Sequence, residues 1–399
     1  MNNYPKIPFT EIATLIRGVS YDKSVALLAA KDGFIPILRA NNIQKNLVLN
    51  DLVYVPNDFV KEEQMIRKGD IILAMSSGSK DLVGKSAQAN NDIDAAFGTF
   101  CGLIRAKENI DSKYLGLFFQ TQEYRNFVSY QSKGVNICNL KKKDIESLQI
   151  PLPPLPTQHA IVTRIETLFA ELDKAVQHLR TAQQQIKTYR QAVLNHWLNN
   201  DEGKWKMVKL GEVAEMCLGK MLDKNKNKGT YQPYLRNVNV RWGSFDLDDL
   251  LEMRFEESEQ DRYGIQKGDL IMCEGGEPGR CAIWKSDIHN MKIQKALHRI
   301  RLNSSVLNKY VYFLFVLYAQ NGKLEKYFTG TTIKHLTGQS LKMVEIPLPP
   351  LTEQQRIVKE IESRLSQATA SETYIENALQ QAEALRQSIL KKAFSGELV

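Results

Sequence analysis

The sequence feature that most constrains the fold is a segment that occurs twice. One copy begins with IPLPPLPTQ at Ile150, and the second begins with IPLPPLTEQ at Ile346, an offset of 196 residues. The same offset holds without gaps as far as Leu194 in the first copy and Leu390 in the second. A register of that length indicates an internal duplication and therefore two equivalent halves.

Each copy predicts a long helix after its proline cluster, since prolines fix φ, lack the N–H group and favour extended backbone. Apolar residues then recur in alternating steps of four and three, which is a heptad pattern. In the first copy they are Ile161, Ile165, Leu168, Leu172, Ala175, Leu179, Ala182, Ile186, Tyr189 and Val193. In the second they are Ile357, Ile361, Leu365, Ala368, Ile375, Ala378, Ala382, Leu385 and Ile389.

The helix starts are also predictable. Pro156 falls near the first helical turn, where proline is tolerated, and Thr352 with Gln355 forms a capping box in the second copy. The apolar heptad residues form one stripe, or seam, along each helix. Two helices of equal length with matching seams are expected to pack on each other as an antiparallel coiled coil. The alternative is that each helix packs only on its own globular domain.

The sequence outside the helices predicts mixed α/β domains. Lys-Gly-Asp turns precede apolar runs at Ile71–Leu73 and Leu270–Met272, which we expect to be buried strands. Apolar and aromatic residues at helical spacing predict helices over Tyr114–Tyr130 and Tyr310–Phe328. The expected fold is two α/β domains joined by the two long antiparallel helices, with pseudo-two-fold symmetry.

We place the boundaries of this organisation at 1–149 for the first domain, 150–198 for the first helical spacer, 199–345 for the second domain and 346–399 for the second spacer. The polar segment NNDEGKW marks the start of the second domain. Gly396 is expected to end the second helix.

Composition restricts the class of protein. The net charge of +8 and the pI near 9.0 favour a polyanionic partner such as nucleic acid. No secretory signal or membrane-spanning stretch is apparent, so we expect a cytoplasmic protein without a membrane partner. The five cysteines lack CxxC or Cys/His spacing and are expected to be reduced thiols rather than metal ligands. They are Cys101, Cys138, Cys217, Cys273 and Cys281.

The proline-led helices, together with WKMVKLGEV at the start of the second domain and the terminal AFSGEL, resemble the specificity subunit of type I restriction-modification enzymes. The resemblance covers essentially the whole chain. It implies two target-recognition domains that each contact one half of a bipartite double-stranded DNA target. It further implies that the helices space these domains and dock two modification (methyltransferase) subunits.

The same resemblance implies a non-catalytic chain. The sequence contains no [ND]PP[YF] motif for adenine methylation, no GxxxxGK[ST] phosphate-binding loop and no convincing nuclease cluster. S-adenosylmethionine, ATP and Mg are accordingly expected on partner subunits, with translocation and cleavage carried out by restriction subunits. No catalytic residue and no metal site is predicted on this chain.

Polar and basic residues in the divergent loops are the candidates for DNA contact, because side chains must reach base edges or phosphates. In the first domain they are Arg39, Asn41, Asn42, Ser76, Ser77, Ser79, Lys80, Lys85, Lys133, Asn136 and Asn139. In the second domain they are Arg236, Asn237, Asn239, Arg241, Glu274, Arg280, Lys334 and His335. The alternative for each is an ordinary solvated turn.

Two other functional hypotheses remain open on the sequence alone. The chain could be a diverged nuclease or methyltransferase with its own active site, although the missing motifs argue against it. It could instead be a structural coiled-coil scaffold without DNA recognition, which salt-sensitive duplex binding would exclude.

Overall fold

The computed structural model describes residues 4–77, 82–131, 138–200, 202–223 and 225–399. The chain forms two compact units: Met1–Leu179 with Asn377–Val399, and Arg180–Glu376. Each unit combines one globular part with a segment of each long helix. The domain boundaries at residues 149, 198 and 345 stay predictions.

The first unit is built on an antiparallel four-stranded sheet. Its strands lie in the order Ala13–Arg17, Cys101–Ala106, Ile71–Ala74 and Ser86–Gln88. A second sheet has the order Val53–Pro56, Phe34–Leu38 and Ala96–Phe97. Two-stranded pairs join Lys6–Pro8 to Gln149–Pro151 and Ser76–Ser77 to Cys138–Asn139. The short helices are Phe9–Ile12, Ser112–Phe118, Gln122–Gln131 and Lys142–Glu146, and the 3-10 turns are Lys23–Val25, Ala40–Asn42, Asn57–Phe59 and Glu62–Gln64.

The second unit repeats the four-stranded sheet, the three-stranded sheet and the two-stranded pair that precedes the long helix. Its four-stranded sheet has the order Ala214–Leu218, Leu297–Leu302, Leu270–Cys273 and Cys281–Ile283. The three-stranded sheet has the order Leu251–Phe255, Thr230–Leu235 and Lys292–Ile293. Two-stranded pairs join Met207–Lys209 to Glu345–Pro347 and Val240–Arg241 to Ser244–Phe245. The short helices are Leu210–Val213, Gln260–Tyr263, Asn308–Gln320 and Gly338–Lys342, and the 3-10 turns are Asn237–Asn239, Glu257–Glu259 and Glu325–Tyr327.

The Lys-Gly-Asp turns begin the central strands of both units, as the sequence predicts. Gly69 adopts a φ of +89°, in the left-handed region that glycine enters without steric cost. The next residue, Asp70, is buried and its carboxylate pairs with Arg105 at 2.6 Å. Asp269 and Arg301 make the same pair at 2.7 Å in the second unit. The duplication therefore extends to individual buried ion pairs.

Side-chain donors satisfy backbone carbonyl groups of the proline clusters in both units. The buried hydroxyl of Tyr114 donates to the carbonyl of Pro151 at 2.7 Å. Tyr310 donates to Pro347 at 2.9 Å in the second unit. These equivalent bonds tie each globular helix to the strand that leads into a long helix.

A buried glutamine strengthens the same junction in each unit. Gln158 accepts a hydrogen bond from the backbone N–H of Asp111 at 3.0 Å and donates to the carbonyl of Pro153 at 2.8 Å. Gln354 accepts from the backbone of Leu307 at 2.8 Å. The start of each long helix is consequently fixed to its own globular part.

The two long helices span Leu155–Leu198 and Leu351–Ser395. In the first unit, Ile161 at the start of the first helix shares a core with Phe394 at the end of the second, and Asp173 pairs with Arg386. The segments therefore run antiparallel in that unit. The expectation that the helices pack on each other is confirmed within this unit, and they also pack on the globular part.

The second unit has the equivalent arrangement with the roles of the helices exchanged. Leu198, at the end of the first helix, shares a core with Ile357 near the start of the second. Arg190 pairs with Glu372 at 2.7 Å. These segments are antiparallel as well.

Tyr189 and Leu385, which are related by the 196-residue offset, do not belong to the seams. Their exposed fractions are 40% and 51%. The neighbouring residues Arg190 and Arg386 lie inward and form the ion pairs described above. A strict heptad drifts by about 20° per repeat relative to an α-helix, so four repeats after Ile161 the inward position has moved by about one residue. The predicted seam is wrong at these two positions and also at Ala175, which is exposed.

Helix boundaries differ from the predictions at three places. The second long helix begins at Leu351, so Thr352 lies inside the first turn and the predicted capping box is wrong. The helix predicted over Tyr114–Tyr130 consists of two helices, since the buried Thr121 hydroxyl accepts a hydrogen bond from the backbone of Tyr124 and starts a new one. The helix predicted over Tyr310–Phe328 ends at Gln320.

Pro156 lies in the first turn of its helix, and Gly396, with a φ of +79°, follows the last residue of the second long helix; both predictions are confirmed.

Among the described residues, none of the helices combines the length and the apolar character that a membrane span needs.

Candidate nucleic-acid interface

Two of the predicted base-contacting residues have a structural role. Asn42 is 1% exposed, and its amide donates to the carbonyls of Val48 and Asn50 at 2.9 and 2.8 Å while accepting from the Arg39 backbone. The hydrogen-bonding capacity of the side chain is used inside the loop, as polar burial requires.

Asn239 occupies the equivalent position in the second unit. It accepts from the backbone of Arg236 and donates to the carbonyls of Asp246 and Asp249. Asn42 and Asn239, both predicted to contact DNA, instead use their side chains to close the loop that displays their neighbours.

The arginines of the same loops are partly engaged. Arg39 donates to the backbone and carboxylate of Asp51 at 2.7 and 3.0 Å. Arg236 makes the same two contacts with Asp249 at 2.9 and 2.6 Å. In each loop the Nη2 atom of the arginine makes both contacts, which fix the loop and reduce the charge available for phosphate binding.

Each loop leaves a different side chain at its exposed tip. In the first unit this residue is Asn41, whose amide makes one 3.3 Å contact with Asp51. In the second it is Val238, which is 54% exposed. Val238 was not among the predicted residues, because an apolar side chain in a polar loop is not typical of DNA contact.

The glycine-rich loop of the second unit contacts the loop that carries Asn237. Arg280 donates to the backbone carbonyl of Asn237 at 3.1 Å and pairs with Glu277 at 2.8 Å. The Asn237 amide donates to the carbonyl of Gly275 at 2.8 Å. Arg280 therefore acts as a connector between the loops rather than as an isolated surface cation.

His335 belongs to the same cluster. A methyl group on Gly275 would lie 2.9 Å from the His335 imidazole, so the ring packs directly on the glycine-rich loop. The backbone of Leu336 donates to the carbonyl of Glu274 at 2.7 Å. Lys334 is exposed and lies 3.8 Å from Glu325, and Arg241 lies 3.5 Å from Asp246. Most of the second domain's candidates thus converge on one loop cluster.

In the first unit the candidates line two adjoining grooves. The first groove, of about 800 Å³, is lined by Lys23, Arg39, Asn41, Ser76 and Phe100 among others. The second groove, of about 890 Å³, also includes Ser76 and Phe100. The two grooves therefore share an edge.

The second groove is markedly basic. Its lining includes Arg17 and the consecutive exposed residues Lys141, Lys142 and Lys143, and among the lining residues that the structure describes Glu146 is the one acidic group. Only Lys142 lies near that carboxylate, at 3.5 Å. Such a concave basic surface attracts the phosphates of nucleic acid.

The remaining candidates of the first domain are placed as follows. Ser76 pairs with Asn139 across neighbouring strands, and Ser77 follows Ser76 on the same strand. Lys85 lies in a smaller depression and donates to Gln44 at 3.2 Å. Four candidates lie outside the described residues: Ser79, Lys80, Lys133 and Asn136.

A family model described as "Type I restriction modification DNA specificity domain" matches the chain twice, over residues 1–179 and 202–381. The chain belongs to this family. It is 35% identical to the type I restriction enzyme EcoKI specificity subunit of Escherichia coli (strain K12), over 98% of this chain and 88% of that protein. It is 33% identical to the StySPI specificity subunit of Salmonella potsdam, with the same coverage.

Solved structures support the fold of this specificity-family member. A chain from a study of complex assembly and conformational transition of the type I R-M system superposes with a TM-score of 0.77 at 20% identity, covering 100% of this chain and 99% of that chain. The HsdS subunit from Thermoanaerobacter tengcongensis gives a TM-score of 0.62 at 20% identity, covering 100% and 98%.

Membership of the specificity family confirms the resemblance found in the sequence and, with it, the expectation of a non-catalytic specificity subunit.

Within the part of the chain that the structure describes, no group of three or more His, Cys, Asp or Glu residues could hold a metal ion. Burial raises the pKa of Cys101 to about 12 and that of Cys273 to about 11, so both thiols are neutral at physiological pH.

The sequence analysis also missed Arg17, Phe100 and the run Lys141–Lys143. The lysine run carries a detectable signal, since three consecutive cations at the start of a short helix form a local charge cluster. Arg17 and Phe100 have no such signal in the sequence. Arg17 ends a strand and Phe100 lies in a turn, and only the folded chain brings both to the grooves.

Proposed function

We propose that the chain gives a type I restriction-modification enzyme its sequence specificity by binding a bipartite double-stranded DNA target, with one half contacted by each globular domain. The observation that carries this proposal is the contrast between duplicated framework and divergent loops. Equivalent bonds such as Tyr114–Pro151 and Tyr310–Pro347 repeat, whereas the exposed loop tips carry Asn41 in one domain and Val238 in the other.

Different tip residues on one framework suit two different half-sites. An asparagine amide can make a bidentate contact with adenine, and an apolar side chain can pack on the methyl group of thymine. The basic second groove of the first domain supplies phosphate contacts, which position a protein on DNA without specifying a sequence.

We further propose that the long helices space the two domains and dock two modification subunits. Equivalent surface ion pairs join each long helix to a short helix of its globular part: Lys113–Glu166 at 2.6 Å and Lys309–Glu362 at 2.5 Å. A duplicated surface suits two copies of the same partner. A restriction subunit would complete the enzyme.

Under this proposal S-adenosylmethionine, ATP and Mg are bound by the partner subunits. We place the complex in the cytoplasm, where bacterial DNA is accessible to it.

The test is duplex binding by the complex of this chain with its modification subunits, measured by gel shift over a range of salt concentrations. The probe carries the motif obtained by mapping methylated adenines in the host genome. Replacing Lys141, Lys142 and Lys143 by Ala should weaken binding and reduce the slope of log K against log salt by up to about 3, since each phosphate contact contributes about 0.9.

The matched control replaces Lys31, Lys61 and Lys68, three exposed lysines outside both grooves, by Ala. This control should leave the slope close to that of the unmodified complex. Absence of any salt-dependent preference for the motif in the unmodified complex would instead support a scaffold role.

A further inference from the structure

Phe100 is an exposed aromatic residue on an immobilised turn. The residue is 67% exposed, while its backbone carbonyl accepts hydrogen bonds from the N–H groups of Met75 and Ser76 at 2.8 and 3.2 Å. The adjacent Thr99 hydroxyl donates to the carbonyl of Val19 at 2.8 Å. The backbone below the ring is thus fixed on both sides, so a contact made by the ring requires little additional ordering.

The ring lies at the edge shared by the two grooves of the first unit. The first groove contributes the cations Lys23 and Arg39, and the second contributes Arg17 and Lys141–Lys143. An apolar group flanked by two basic clusters matches a duplex whose phosphates contact the cations and whose bases face the ring.

We propose that Phe100 is a specificity-determining wedge whose ring inserts between two adjacent base pairs of the half-site contacted by the first domain. This inference rests on the proposed function. Apolar side chains that unstack a base step favour deformable sequences, so the wedge contributes to sequence preference without a hydrogen bond to a base.

The wedge is restricted to one half of the target. The 196-residue offset places Ala296 at the position equivalent to Phe100 in the second domain. An alanine side chain is too short to enter a base step. The two domains should therefore differ in how much they distort DNA, although their frameworks are alike.

The experiment uses the complex of the full chain with its modification subunits and duplexes that carry the mapped motif. 2-Aminopurine replaces each adenine of the first half-site and its flanks in turn, except the adenine that is methylated. The fluorescence of this base increases when it is unstacked, and a methyltransferase flips its own target base out of the stack. One base step should show an increase on binding, and Phe100→Ala should abolish it. Affinity should fall about tenfold with the salt slope unchanged.

Phe100→Leu, which retains an apolar wedge, should keep part of the fluorescence increase. Phe59→Ala serves as the matched control, since Phe59 is a partly exposed phenylalanine of the same unit outside both grooves. It should change neither signal.

An unstacking signal that persists in Phe100→Ala, or an affinity within twofold of the unmodified complex, would overturn the wedge while leaving the proposed function intact. A second result would also overturn the wedge: replacing one thymine by uracil lowers the affinity, and Phe100→Ala lowers it no further. The ring would then contact the methyl group of that thymine instead of entering a base step. Failure of the unmodified complex to prefer the motif would count against the proposed function itself.

Discussion

Replacing Asn239 by alanine should destabilise the second unit rather than change a base preference. The side chain is 2% exposed and makes three hydrogen bonds, from the backbone of Arg236 and to the carbonyls of Asp246 and Asp249. A buried hydrogen bond contributes about 1 kcal/mol net, and the loss of three leaves buried partners unsatisfied. We therefore expect the free energy of unfolding to fall by about 2–3 kcal/mol.

Tryptophan fluorescence during urea unfolding isolates this effect. All four tryptophans of the chain lie between residues 180 and 376, within the second unit. Trp284 is buried and packs against Phe245, with ring centroids 5.0 Å apart, close to the loop in question. With a slope of about 2–3 kcal/mol per molar urea, the midpoint should fall by about 1 M.

Val238→Ala is the matched control, because it changes the adjacent exposed side chain. Its midpoint should remain within about 0.3 M of the original, consistent with a surface change of about 0.5 kcal/mol or less. The reasoning is refuted if Asn239→Ala leaves the midpoint unchanged and instead alters the second half of the methylation motif.

Two further predictions concern pH and helix length. Burial lowers the pKa of His298, so the unfolded state binds a proton that the folded state does not. The urea midpoint of the second unit should therefore fall as the pH decreases through about 6.5, the ordinary pKa of histidine. His298→Gln should reduce this pH dependence. Inserting four residues near Ala182 adds about 6 Å of helix. If helix length sets the distance between the two half-sites, the spacer of the mapped methylation motif should gain about one base pair, and both half-sites should stay the same. An active insertion variant with an unchanged spacer would contradict the claim that helix length sets the spacer length.

The duplicated architecture was predictable because its signals are local and periodic. Proline clusters, heptads and Lys-Gly-Asp turns each depend on neighbouring residues. The proline clusters and heptads repeat at one offset of 196 residues, which distinguishes them from chance, and the Lys-Gly-Asp turns repeat 199 residues apart. The inward shift to Arg190 and Arg386 was not predictable from a strict heptad, since it depends on how far the helices supercoil.

The candidate site was only partly predictable, because the same residue type serves two purposes in one loop. Asn41 and Asn42 are adjacent and chemically identical, yet one is exposed and the other closes the loop. Which one faces outward depends on backbone geometry that composition does not reveal. The grooves beside Phe100 likewise require segments distant in sequence to meet.

The central claim is that each domain specifies one half of the target, and a domain exchange tests it most directly. The segment 1–149 would be replaced by the corresponding domain of another specificity subunit, and the methylated adenines mapped in a host that expresses the chimera with its modification subunits. The account predicts a motif in which one half changes while the other half and the spacer remain. A motif changed in both halves by this single exchange would contradict it.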